Sequence, residues 1–243
     1  MPRGSVAGCV AGLVWTSVVT DTGDVGVALT FPQGLDESDL PGSVAGTDLR
    51  TAARWLLSWR YYEAAIGCAS VNAVTNTRAR IEHITQRPLE DLRCRGAALF
   101  ERLADQFAGG RVAVVGHFPA LRKLGAACDL TVLERRPGNG DTPDPACEYV
   151  LPGQDCVCIT GSAVTNKTLP RLLELSRPAF TVLVGPSIPL SPVWFDHGVD
   201  LLAGAVVTDA AGVHRCVCEG AHRRTFREGL TTVQIAAGDI RRR

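Results

Sequence analysis

The chain has 243 residues, 46% of them hydrophobic and 21% charged, a composition that fills a core and excludes wholesale disorder and fibrous repeats. Lys plus Arg and Asp plus Glu stand at 25 each and the sequence pI is about 6.9, so the basic excess of a nucleic-acid binder is missing. No run of about 18 apolar residues offers a membrane span.

The start, Met1-Pro2-Arg3 followed by apolar residues 6–15, has the look of a signal peptide, and Val6-Ala7-Gly8-Cys9 that of a lipobox. Five preceding residues leave no room for an apolar region of about 7–15, however, so this segment is expected to belong to the fold. Residues 10–20 are strand-like, turn at Thr22-Gly23 and return over 25–31 as a hairpin. A Gly/Pro/Asp-rich loop over 32–47 follows. Residues 49–65 then carry Ala53, Leu56, Leu57, Tyr61, Ala64 and Ala65 at helical spacing, and 66–74 are small and apolar. This half reads as an α+β unit. Pro88 opens a new helix, with Glu90 and Asp91 in the first turn, where they complement the dipole. Its stripe is Leu89, Leu92, Leu99, Leu103 and Phe107, and Gly109-Gly110 stops it.

Beyond that point continuous apolar strands alternate with helical segments. Residues 111–115 end at Gly116, 130–133 at Glu134, 155–159 at Thr160-Gly161, and 180–184 at Gly185-Pro186-Ser187. A short helix over 169–175 precedes the fourth run, and 199–205 is a further strand. Such a pattern predicts a mostly parallel, two-sided sheet. The fold class is therefore α/β: a Rossmann-like domain over 88–243, preceded by a small α+β domain over 1–87.

Nine cysteines, with no CxxC pair, disfavour zinc-ribbon and thioredoxin readings and fit a reducing cytoplasm better than secretion. Cys156/Cys158 and Cys216/Cys218 form two CxC pairs, and in a strand each pair would present both thiols on one face. The first pair reads as core filling. The second lies near His214 and His222, where metal or redox chemistry is the competing reading.

Ligands in open parallel sheets bind at the carboxyl ends of strands. That rule gathers Gly116-His117-Phe118-Pro119, Glu134, Thr160-Gly161-Ser162 and Gly185-Pro186-Ser187. Glycines there let backbone amides approach a ligand, and Ser and Thr add hydroxyls. One glycine and a proline after the first strand do not make a dinucleotide fingerprint, although Glu134 stands where an acid would meet a ribose. Glu134, Asp141, Asp144 and Glu148 sit on one polar loop that is either a solvated surface or a ring around a cation or a basic group. His117 is the best placed of the histidines, as a metal ligand or a general base. Asn166 reads first as a cap for the next helix.

These motifs, with Pro137-Gly138 and Gly140-Asp141 after Glu134, Asn166 and Thr168 after Ile159-Thr160-Gly161-Ser162, Pro189, and Gly198-Val199-Asp200 with Ala203-Gly204, occur in one order. In that order the chain resembles a family of unknown function described as "putative heavy-metal chelation". The resemblance covers nearly the whole chain and implies a Rossmann-like C-terminal domain preceded by an enolase-N-terminal-like domain, with Ala69-Ser70-Val71-Asn72-Ala73 in the latter. It further implies an interdomain cleft near Asn72, His117, Glu134, Asp141, Thr160, Asn166 and Ser187, used in heavy-metal handling near biosynthesis of corrinoid type.

The expectation is a cytoplasmic protein that binds a metal ion or a small metal-chelating molecule, with no nucleic-acid or membrane partner and with a homodimer left open. Glu134 and His117 are the candidate acid/base residues. His117, Glu134 and Asp141 are the candidate ligands of a transition metal of unknown identity. Asn72, Gly116, Thr160, Gly161, Asn166, Gly185 and Ser187 are the candidate ligand-binding set. The rival readings are an enzyme using S-adenosylmethionine or NAD, and a non-catalytic binding module.

Overall fold

The computed structural model describes residues 4–31, 42–94, 96–138, 140–220 and 229–241. The chain opens with three strands where a single hairpin is predicted: β1 (Val6–Ala11), β2 (Trp15–Thr20) and β3 (Val25–Leu29), antiparallel in that order. Residues 10–20 are split because Gly12 donates its N–H to the Trp15 carbonyl at 2.9 Å, closing a tight turn.

Two helices replace the single one expected over 49–65. α1 (Leu49–Arg54) starts at Asp48, whose carboxylate accepts the N–H groups of Arg50 and Thr51. A 3-10 turn, Trp55–Leu57, ends at Ser58, whose extended backbone (φ −63, ψ 144) breaks the ladder. α2 (Tyr61–Thr75) then runs straight through the small apolar residues. Burial on nearly every side erases the amphipathic period that would have marked its full length. Glycine makes this packing possible. A Cβ on Gly26 of β3 would run into the Ala69 carbonyl and the Ala73 nitrogen, and one on Gly67 into the Leu56 backbone.

α3 (Arg78–Thr85) is capped by Thr77 and sends Ile81 and Ile84 into the same core cluster as Leu89 and Leu92 of α4 (Leu89–Leu92). The long helix expected from Pro88 is interrupted before α5 (Gly96–Gln106). Between them Arg93 is extended and bridges Val233, and the Cys94 N–H bonds to the Thr232 carbonyl at 2.9 Å. The break has a packing cause. Leu89 and Leu92 join Ala113 and Val115 on one face of the large sheet, while Leu99 and Leu103 join Val112 and Val114 on the other. One straight helix cannot serve both faces.

The large sheet contains β4 (Arg111–Val115), β5 (Asp129–Glu134), β6 (Thr142–Pro143), β7 (Cys156–Thr160), β8 (Phe180–Val184), β9 (Leu201–Val207) and β10 (Leu230–Ala236), in the order β10-β9-β8-β7-β4-β5-β6. Only β10 is antiparallel to its neighbour. Its helices are α6 (Arg122–Ala127), α7 (Cys147–Val150), α8 (Ser162–Thr165), α9 (Leu169–Leu175) and α10 (Ala210–Cys218). The α/β class is as the sequence predicts. Cys156 and Cys158 are buried on one face of β7, packed with Cys128, as core filling requires. Cys216 and Cys218 instead lie in α10, where residues two apart diverge around the helix, so they do not form a same-face pair. His214 bonds through Nδ1 to Ser17 Oγ at 3.0 Å, and His222 lies outside the described residues. Among the described residues no helix is long and apolar enough to cross a membrane.

The small sheet and its helices meet the large domain along α2. Residues four apart along that helix and its C-cap, Cys68, Asn72 and Asn76, read the backbone of the segment after β8. The Cys68 thiol donates to the Ser187 carbonyl (3.2 Å), and Asn72 Nδ2 to the carbonyls of Val27 (2.8 Å) and Pro186 (3.4 Å). Asn76 Nδ2 donates to the carbonyls of Ile188 (2.8 Å) and Ala205 (3.1 Å), and Asn76 Oδ1 accepts the Leu190 N–H (2.8 Å). From the other side Ser187 Oγ accepts the Leu29 N–H at 2.9 Å. Replacing Asn76 with Ala strands three buried backbone groups, so we expect N76A to lower unfolding stability by about 3 kcal/mol, read as a fall in the chemical-denaturation midpoint. G26A is expected to cost about 2 kcal/mol or more in the same assay, because backbone lies where its Cβ must go.

Candidate functional site

β4 is the first strand of the large domain; the chain leaves it towards β5 and returns on its other side as β7. The two neighbours β4 and β7 therefore flank the topological switch point, where a crevice opens beyond the strand ends. Gly116, at φ +97, turns the chain out of β4. A Cβ there would stand 2.9 Å from the Cβ of Thr160, so glycine keeps the two strand ends together. Gly185, at φ +117, makes the equivalent turn after β8 and donates its N–H to the Ala203 carbonyl at 2.9 Å.

The crevice continues into an open cleft of about 1060 Å³ between the large sheet and the N-terminal hairpin. Trp15 and Leu29 line it from the hairpin, Phe100 from α5, Phe118 and Pro119 from the turn after β4, and Ala203, Gly204 and Ala205 from β9. Polar groups are few: His117, the Thr160–Ser162 hydroxyl pair (3.2 Å apart), Ser187 and Thr232. A largely apolar cavity of this size with sparse polar groups has the character of a small-molecule site, which spans roughly 300–1,000 Å³.

Five of the sequence-predicted residues line this cleft: His117, Thr160, Gly161, Gly185 and Ser187. The Ser187 hydroxyl is nevertheless buried and holds Leu29, so it acts as a strut. Gly116 supports the wall without lining it. Asn72 is buried in the interdomain seam, and its Oδ1 has no hydrogen-bond partner among the described residues. Asn166 Oδ1 accepts the Thr168 N–H (3.1 Å) and hydroxyl (2.6 Å) and so shapes the turn between α8 and α9. It is not the cap expected of it: Thr168 stands at the N-cap of α9, and no side chain among the described residues caps that helix. Beside it Lys167, at φ +69, donates its ammonium to the Leu56 carbonyl, a second tie between the domains; burial holds that amine below its ordinary value.

Glu134, Asp141 and His117 meet at the rim. Glu134 Oε2 accepts the His117 N–H (2.9 Å), and Oε1 accepts the N–H groups of Arg135 (2.8 Å) and Arg136 (3.2 Å). Its carboxylate thus caps three backbone donors. Asp141 Oδ2 accepts the Gly138 N–H at 2.9 Å, and both its oxygens lie 3.1 Å from His117 Nδ1. The Gly138 amide, opposed by burial and assisted by the His117 ring, holds the Asp141 carboxyl below the usual aspartate range. The other two loop carboxylates are engaged elsewhere: Asp144 by Arg135 Nε (3.0 Å), and Glu148 by a two-pronged contact from Arg171. Among the described residues, no group of three or more His, Cys, Asp or Glu is arranged to hold a metal ion. Strand-end reasoning finds Phe118, but not the apolar residues Trp15 and Phe100 or the seam residue Asn76. Trp15 is visible in the sequence only as a core-like residue beside a turn.

Two family models cover the chain. One, DUF4213, matches residues 1–75 and the other, DUF364, residues 98–235; both are described as "Putative heavy-metal chelation". No curated protein matches. The chain is similar to the crystal structure of a DUF364-family protein of unknown function from Desulfitobacterium hafniense DCB-2, at 36% identity and a TM-score of 0.84 over 96% of this chain and 92% of that one. A DUF364-family protein of unknown function from Pyrococcus horikoshii has the same fold, at 22% identity and a TM-score of 0.78 over 96% and 93%. With one model matched over more than half of its length and a relative at 36% identity along almost all of it, the chain belongs to the DUF364 family, described as "Putative heavy-metal chelation".

Proposed function

We propose that this protein handles metal in chelated form: the interdomain cleft takes up a small, flat, largely apolar metal-chelating molecule. The observation that carries this reading is the cleft itself, about 1060 Å³ and walled by Trp15, Leu29, Phe100 and Phe118. That space suits a ring system, and its apolar lining cannot replace the water shell of a bare ion. Transition metals bind through thiolate, imidazole or carboxylate groups that converge on one point. Here the carboxylates of Glu134 and Asp141 are spent on backbone amides and on His117. A chelator brings its own donor atoms and asks the protein only for shape, a few hydrogen bonds and shelter from water. Thr160, Ser162 and His117 supply the polar contacts in this reading, with Gly161 and Gly185 allowing close approach. All nine cysteines are free thiols, which supports the expectation of a reducing cytoplasm.

The nucleotide-cofactor alternative asks Glu134 to receive a ribose hydroxyl. Three amides already occupy its oxygens, so that reading has less support from the geometry.

Elemental analysis separates the ion from the chelate. Untagged protein is incubated with Ni(II), Co(II), Zn(II) or Fe(II) salts, alone or with 2,2′-bipyridine as a flat chelator, and then desalted. We expect little retained metal with salts alone, a roughly equimolar amount with the chelator, and a clear loss of the latter in F118A. Equimolar metal from salts alone that disappears in E134A would instead place the ion on protein side chains and end the chelate reading.

A further inference from the structure

The rim of the cleft holds an arrangement that ligand binding alone does not need. His117 lines the cleft, with its side chain 59% exposed, whereas the Asp141 side chain beside it is only 6% exposed. Both oxygens of Asp141 face Nδ1 at 3.1 Å, and the Gly138 N–H fixes the carboxylate from behind at 2.9 Å. A second carboxylate, Glu134, holds the backbone N–H of the same histidine at 2.9 Å. The imidazole is thus oriented from main chain and ring together. A carboxylate on Nδ1 fixes the proton there and leaves Nε2 with a lone pair. Among the described residues Nε2 has no hydrogen-bond partner, and the neighbouring residues of its own turn are apolar, Phe118 and Pro119. The charged groups around it are accounted for: Asp141 on the ring, Glu134 on the backbone, and Arg135 drawn off by Asp144 and Tyr61.

We infer that His117 and Asp141 form a proton-transfer pair, with His117 Nε2 acting as general base on a flat, apolar ligand that carries a weakly acidic C–H, N–H or O–H. The inference rests on the cleft being the ligand site. His117 is then the catalytic residue and Asp141 a positioning residue that also steadies the imidazolium once the proton has moved. Glu134, whose oxygens are committed to amides, has no part in the transfer. A chelator whose donor atom carries a proton must lose it to bind a metal, so the pair suits a ligand of that kind entering the cleft metal-free.

A defined probe tests this directly. In 5-nitro-1,2-benzisoxazole a base removes the ring C–H proton; the C–H electron pair completes the nitrile, and the N–O bond breaks with its pair on oxygen. The product is coloured 2-cyano-4-nitrophenolate, and Nε2 passes its proton to water, so no other reactant is consumed. The full-length untagged protein should turn over the probe with saturation, faster than the same concentration of free imidazole. H117Q should lower kcat/KM by about 100-fold, and D141N should lower kcat by about tenfold while KM stays the same. Circular dichroism and thermal melting establish that H117Q and D141N fold. Binding of 2-cyano-4-nitrophenol, read by tryptophan fluorescence with W15F as control, is measured in parallel. If wild type binds the product but turns over no faster than imidazole, or if H117Q retains the wild-type rate, the base role is overturned and the cleft reading stands. If neither protein binds the product, both fall.

Discussion

Everything about this molecule's cleft depends on how α2 is held against the segment that follows β8. A nearly all-buried helix of small residues would ordinarily be an indifferent packing element, free to slide along its contacts. Here Cys68, Asn72 and Asn76 occur at four-residue spacing on one face and bond to backbone groups of Pro186, Ser187, Ile188 and Leu190, while Ser187 returns a bond to Leu29. Side-chain amides that pair with main-chain groups fix register as well as distance, because a shift of one residue leaves several buried donors and acceptors unmatched. The cleft's two sides, Trp15 and Leu29 on the hairpin and Gly185 to Ser187 on the sheet, are therefore set by one seam.

That seam explains why glycine matters at Gly26 and Gly67. Asparagine and cysteine reach only a short way, so α2 must lie unusually close to both the hairpin and the preceding turn for them to touch their partners. The close approach is possible because no Cβ stands between backbones at those two points. Lys167, pinned to the Leu56 carbonyl from a left-handed turn, adds a tie at the far end of the same interface. Walls held by such a seam are ordered during folding, so a ligand of the kind proposed would find them already arranged.

How much of this was legible follows from what kind of signal each feature leaves. The large sheet announced itself because two-sided strands are apolar throughout and end in Gly, Glu or Thr. The switch-point rule gathers His117, Thr160, Gly161, Gly185 and Ser187, all of which line the cleft. Helix limits were harder. α2 lacks an apolar stripe because it is buried nearly all round, and the supposed single helix after Pro88 divides because Leu92 and Leu99 serve opposite faces of one sheet. Periodicity reports burial on one side and is blind to both situations. Asn76 could not be found at all, since its partners are backbone groups 112 and 129 residues away, whose positions depend on the completed fold. Cys216 and Cys218 show the converse error: alternation suited to a strand occurs inside α10.

The rim residues carry a further lesson about acidic clusters. Glu134, Asp141, Asp144 and Glu148 fall close together in the sequence and look like a cation site, yet the fold disperses their charge. Glu134 caps three amides, Asp141 orients an imidazole, and Asp144 and Glu148 each neutralise an arginine. A bare cation would have to displace those partners and would leave backbone N–H groups or guanidinium groups unpaired, a cost that coordination must exceed before any net binding appears. Under the proposed chelate reading, a ligand that brings its own donor atoms would disturb none of them. The same contacts that withdraw the carboxylates from a metal are those that hold the histidine in place, which is the geometry the proposed proton transfer needs.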